Sequence, residues 1–107
     1  MEVVGYETRK ARTSHRCTLC GGRIRPGQRY DRWVSIDGGD IQECKVHEHC
    51  RQIVRDHCDY YRESEWTSDE VMEYIREYLD NEGIWYPKTE TYEERVERYC
   101  KHKGITI

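Results

Sequence analysis

Cys17-Thr18-Leu19-Cys20-Gly21-Gly22 places two thiols two residues apart, ahead of a pair of glycines. Two thiolates at that spacing can grip one zinc ion from a tight turn. The glycines let the backbone curl, so that amides point at the sulfurs. A second pair, His47 and Cys50, lies in Val46-His47-Glu48-His49-Cys50. Residues three apart at the first turn of a helix share a face and can share an ion. Cys17, Cys20, His47 and Cys50 thus make a Cys3His quartet, the composition of a closed structural site, and the expected cofactor is one structural Zn2+.

Other thiols and imidazoles compete for roles. A redox Cys-x-x-Cys would need a βαβ setting and a following helix, which Gly21-Gly22 and Pro26-Gly27 break. Cys44 reads as a small buried hydrophobe on a strand. His49 reads as an exposed helical residue, and His15 lies too close to Cys17 to ligate without straining the turn. His57, Cys58, Cys100 and His102 could form a second Cys2His2 set. That set asks neighbouring residues to ligate together although they point about 100° apart on a helix. The competing reading buries His57 and Cys100.

The elements that position the quartet follow from periodicity. Arg29 to Ile36 is strand-like, Asp37-Gly38-Gly39-Asp40 is a turn signal, and Ile41 to Val46 returns as a strand. Glu48 to about Tyr61 reads as a helix, with Cys50, Val54, His57 and Tyr61 on one stripe. Thr67-Ser68-Asp69-Glu70 is a capping box that opens a second helix, which Gly83 ends. Ile84 to Pro87 is an apolar connector. Thr91 and Glu94 open a third helix, which Gly104 ends. These last two helices are expected to form an antiparallel hairpin packed on the zinc-binding part.

Turn, hairpin and a ligand pair opening a helix resemble the treble-clef zinc finger over about residues 13–62. The stretch Arg23-Ile24-Arg25-Pro26-Gly27-Gln28-Arg29-Tyr30 is also similar to small zinc-binding proteins common in bacteriophage genomes. These share the Cys-x-x-Cys turn, a Pro-Gly-x-x-Tyr lead into the hairpin and a His-x-x-Cys close. The resemblance implies a phage origin. With it comes a host partner, such as a nucleic-acid-handling or CRISPR-type defence complex that the protein would inhibit in the host cytoplasm. Residues 63–107 show no such match. The expected fold class is α+β, a small treble-clef zinc finger followed by a helical hairpin. The expected division is a zinc-binding module over 1–62 and an acidic, Tyr-rich extension over 63–107.

Composition narrows the function. The 107 residues hold seven Val, eight Ile, two Leu and no Phe, so the aliphatic core is thin. A small chain with such a core usually leans on a metal, disulfides or a partner. No apolar run approaches the ~20 residues that span a bilayer. No secretory signal is evident, which favours metal over disulfides. Net charge is -3, but residues 1–32 carry eight Lys and Arg against three acids, while residues 67–107 carry six against ten. The basic third offers Arg12, Arg16, Arg23, Arg25 and Arg29 as phosphate contacts for direct nucleic-acid binding. The acidic extension offers Trp66, Glu73, Glu77, Trp85, Tyr86 and Glu93 as a surface for a basic protein partner. No phosphate loop or nucleophile elbow is present. The treble clef also underlies His-Asn-His nucleases, but four protein ligands would close the metal to substrate. The expectation is a non-catalytic, zinc-stabilised binding protein with no small-molecule substrate.

Overall fold

The computed structural model describes residues 2–63 and 65–107. Three strands form an antiparallel sheet in which β4 (Arg29–Asp37) lies between β1 (Glu2–Lys10) and β5 (Asp40–His47). Gly38 and Gly39 make the β4–β5 turn, both at positive φ, with Asp37 paired to Asp40. A two-residue loop of this kind matches the twist of the strands it joins. Side chains alternate along each strand, so the sheet has two faces. Asp31 and Trp33 pair with Val46 and Cys44 on the face that is covered. Tyr30, Arg32 and Val34 lie on the other.

β1 was not legible as a strand, and its register explains why. The pairing slips between Val4 and Glu7, where Gly5 takes a φ of +66°. Glycine in the left-handed region is what one common β-bulge requires. The extra residue carries Tyr6 to the covered face, where its ring stacks on Trp33 at 6.1 Å. The Arg51 guanidinium sits 5.6 Å from both rings. The hydroxyls of Tyr6 and Thr8 donate to the carboxylate of buried Asp31.

A short ribbon of β2 (His15–Arg16) and β3 (Arg23–Ile24) closes the cysteine turn between β1 and β4. Directly after β5 comes α1 (Glu48–Tyr61), which buries Cys50, Ile53, Val54 and His57 on one stripe. Next is α2 (Ser68–Asn81), where the Thr67 hydroxyl accepts from the Glu70 amide at 3.2 Å. Last is α3 (Tyr92–Lys103), opened by a full capping box of Thr91 and Glu94 and ended by Gly104 at φ +75°. The architecture is α+β, as expected, and no helix among the described residues is long and apolar enough to cross a membrane.

The expected antiparallel helical hairpin is not what forms. Tyr92 bonds Asp69, Arg95 bonds the Met72 carbonyl, Tyr74 meets Tyr99, and Tyr78 bonds His102. Partners climb both helices together, so α2 and α3 run in the same direction. The reason lies in the connector. A helix of this length spans about 20 Å, and residues 82–91 form a return segment long enough to cross that distance. Buried Glu90 pins the end of the segment, receiving Arg95 at 2.9 Å and Arg98 at 3.2 Å.

One buried cluster joins the parts, with Leu19, Ile24, Ile53 and Val54 alongside Ile75, Leu79, Val96 and Tyr99. The Tyr99 hydroxyl donates to Asp56 of α1 at 2.9 Å. Ser68 Oγ donates to the Thr18 carbonyl at 2.8 Å, and a Cβ built on Gly22 would lie 2.8 Å from the Glu93 carboxyl. The starts of α2 and α3 therefore sit against the cysteine turn. Same-direction packing predicts nuclear Overhauser contacts between the Tyr92 ring and Asp69. Contacts from Tyr92 to the last turn of α2 near Asn81 would contradict it.

Candidate functional site

The Cys17–Gly22 turn is closed by its own backbone. The Cys17 amide donates to the Gly22 carbonyl at 2.8 Å, and the Gly21 amide to the Cys17 carbonyl at 3.0 Å. Gly21 holds a φ of +72°, which a side chain would resist. The Gly22 amide then points at Cys20 Sγ from 3.4 Å. Two bonds seat this turn on β5: the Thr18 amide donates to the Lys45 carbonyl, and the Lys45 amide to Thr18 Oγ1. The seat brings the cysteines to the end of β5, where His47 stands, and to the first turn of α1, where Cys50 stands.

All four expected ligands converge. One donor atom from each of Cys17, Cys20, His47 and Cys50 lies within 4.8 Å of the others, and all four residues are buried. His47 Nδ1 is 3.5 Å from Cys20 Sγ and 3.6 Å from Cys50 Sγ. Tetrahedral zinc with sulfur at ~2.3 Å and nitrogen at ~2.0 Å would separate such donors by roughly 3.5 Å. The other ring nitrogen, Nε2, donates to the Arg23 carbonyl at 2.9 Å. That bond turns Nδ1 toward the thiols, so that on losing its proton it presents its lone pair to a metal there. The donor set, spacing and orienting bond fit a single structural zinc.

The electrostatics of the metal-free cage agree. Hydrogen bonds from Cys20 and Cys50 hold the Cys17 thiol far below its ordinary range, while hydrogen bonds to Cys17 and Cys20 push Cys50 far above it. Burial pulls His47 down, but hydrogen bonds with Cys17 and Cys20 outweigh it and push the imidazole up to about 10. The thiols and imidazole hold protons in a space where one divalent cation would displace them and balance the thiolates.

The remaining cysteines and histidines stay outside. Cys44 is buried on β5 opposite Trp33, the small-hydrophobe role. His49 is half-buried rather than exposed, because its ring stacks on His47 at 4.6 Å. His57 packs edge-on against Tyr74, and His102 bonds Tyr78. No second ligand cluster forms from His57, Cys58, Cys100 and His102 among the described residues.

The open face of the sheet carries a cleft of about 1060 Å3. Arg9, Lys10, Arg12, Arg32 and Lys45 line it with the carboxylate of Glu43, and Glu7 beside it pairs with Arg9 at 2.8 Å and Arg32 at 3.2 Å. Arg32 Nε at 3.1 Å and Lys45 Nζ at 3.2 Å grip Glu43, and these bonds hold its carboxyl below the usual range. Lys10, Arg12 and Arg16 make no ion pair among the described residues. Of the arginines singled out in the sequence, Arg12 lines the cleft and Arg16 lines a smaller one beside it. Arg23, Arg25 and Arg29 are exposed but line neither, and Arg29 pairs with Glu48 at 3.3 Å. Sequence reading missed Lys45 and Arg32 because they arrive from strands distant in the chain. Their alternation on β4 and β5 is the signal that could have placed them.

The acidic and aromatic set of the extension is dispersed. Trp66 is half-buried, edge-on to Trp33 at 6.2 Å. Tyr86 donates to Asp80, Glu73 pairs with Arg76, and Glu77 accepts from Tyr61. Glu93 lies at the cysteine turn. Trp85 alone of the six is a large apolar group in the open, 77% exposed. No protein-family model matches the chain, and neither a curated protein nor a solved structure matches it.

Elemental analysis of natively purified protein is expected to find one zinc per chain. Cys17→Ser or Cys50→Ser should cost more than about 4 kcal/mol of unfolding free energy, as loss of a structural metal does, and Cys58→Ser less than about 1 kcal/mol. Zinc affinity should rise with pH, because thiols and imidazole must shed protons to ligate. Metal-free protein of full stability would contradict the assignment.

Proposed function

We propose that the protein is a non-catalytic, zinc-stabilised binding module, and that its basic cleft receives the phosphate backbone of nucleic acid. The order of turn, hairpin and helix around the Cys3His site supports reading residues 13–62 as a treble clef. A buried four-ligand cage leaves no open coordination position for substrate, which supports a structural rather than a chemical role for the metal. The observation that carries the binding assignment is the cleft itself. Its cations outnumber the carboxylates beside them, Glu43 and Glu7, both of which are already bound, and among the described residues Lys10 and Arg12, with Arg16 in the adjoining cleft, make no ion pair. Unpaired cations on a surface attract polyanions and gain by releasing their counterions.

One observation favours a protein partner as a second reading. Trp85 is exposed on the connector that follows the acidic α2, and tryptophan is a common interface anchor. This is the surface at which a host protein of the kind implied by the phage resemblance would dock. The first reading is tested with zinc-loaded full-length protein and a labelled mixture of native and heat-denatured genomic DNA. Binding should weaken as salt rises, Lys10→Ala plus Arg12→Ala should weaken it further, and Trp85→Ala should leave it unchanged. Absence of binding at ~0.15 M salt would remove the nucleic-acid reading and leave the Trp85 surface.

A further inference from the structure

We propose that the open sheet face takes the sugar-phosphate backbone of a double-stranded nucleic acid without reading its sequence. This inference rests on the nucleic-acid reading above and names the ligand class.

The lining of the cleft selects among nucleic acids by what it lacks. Proteins that hold single strands stack successive bases on exposed aromatic rings. The aromatic ring of this cleft, Tyr30, is 4% exposed, and His15 is tilted against it at 5.2 Å. The exposed ring nearest in sequence, Tyr6, lies on the opposite face, held by Asp31 and stacked on Trp33. Trp85 and Tyr92 belong to the helical extension. A base arriving in the cleft would find no exposed Tyr or Trp ring, only the half-buried His15.

The lining also argues against sequence reading. Asn and Gln read adenine by paired bonds, and Arg reads guanine when a helix or ribbon carries it into the major groove. No amide side chain lines the cleft, and Thr13 is its only hydroxyl apart from Tyr30. No helix borders it. What remains are cations, which contact phosphates and carry no sequence information.

The arrangement of those cations suits a stiff partner. Arg9 and Lys10 stand at the end of β1, Arg12 in the following loop, and Arg32 and Lys45 across β4 and β5. The smaller cleft of about 360 Å3 shares His15, Glu43 and Lys45 with the larger and adds Arg16. The two form one basic strip on a hydrogen-bonded sheet. A duplex presents about one charge per 1.7 Å of its axis at fixed positions, so a rigid strip can meet several phosphates without ordering a floppy chain.

Fluorescence anisotropy of zinc-loaded full-length protein tests this with a short DNA duplex, the same duplex with its sequence shuffled, an RNA duplex and one DNA strand alone. Each is titrated over a series of sodium chloride concentrations. The original and shuffled duplexes should bind alike, and more tightly than the single strand. Three unpaired cations predict a slope of log affinity against log salt of about -3. Lys10→Ala, Arg12→Ala and Arg16→Ala should each flatten that slope by about 1. Glu43→Gln should tighten binding, since it frees Lys45 and loosens Arg32, which keeps its pair with Glu7 at 3.2 Å, whereas damage to the fold would weaken it. Binding of the DNA duplex, the RNA duplex or both supports the inference and identifies the source. Equal or tighter binding of the single strand overturns the duplex assignment while the nucleic-acid reading stands. Loss of binding on shuffling overturns sequence independence, and unchanged binding by Lys10→Ala, Arg12→Ala and Arg16→Ala removes the site from this cleft. No binding to any probe overturns both readings.

Discussion

Four side chains from two distant stretches of chain meet at one point, and the rest of the molecule is arranged around that meeting. The turn at Cys17–Cys20 and the strand-to-helix junction at His47–Cys50 are linked by 26 intervening residues, which hold β3 and nearly all of the β4–β5 hairpin. A zinc bound there crosslinks the sheet to α1. The aliphatic content is low, with two Leu and no Phe in the whole chain. Burial of so few apolar groups is a weak source of stability at this size, and metal ligation supplies folding free energy directly. Tyrosine makes up part of the remainder: the bonds joining Asp56, Tyr74 and Tyr99 link three helices through polar contacts within the core.

The crosslink also separates the two faces of the sheet. Because the turn seats on β5 and α1 follows β5 at once, α1 is bound to one face. Arg51 and Trp66 complete that cover over Trp33. The opposite face keeps its charged residues in solvent, as antiparallel sheets commonly do. Arg9, Arg32 and Lys45 stand there because their positions alternate with Asp31, Trp33, Cys44 and Val46. The charge asymmetry of the sequence thus becomes a spatial one.

The zinc ligands, the hairpin and all three helix starts were readable from the chain, since each depends on local chemistry. A Cys-x-x-Cys-Gly-Gly turn, a Gly-Gly loop and threonine caps carry their meaning within a few residues. The misses share one cause, which is dependence on partners far away. Gly5 breaks the alternation of β1, so that strand shows itself only once paired with β4. Periodicity identified α2 and α3 but says nothing about direction, which the ten-residue return segment and the Glu90 ion pairs decide. Trp66 and Tyr86 were candidate anchors on residue type alone, yet Trp33 and Asp80 occupy them.

X-ray absorption at the zinc edge probes the central crosslink without altering the chain. The geometry predicts a four-coordinate shell of three sulfurs at ~2.3 Å and one nitrogen at ~2.0 Å, with imidazole scattering from His47. A shell containing oxygen would mean an open site and a metal able to do chemistry. A shell of four sulfurs would mean that another cysteine displaces His47, and either result would contradict the closed Cys3His cage on which this fold depends.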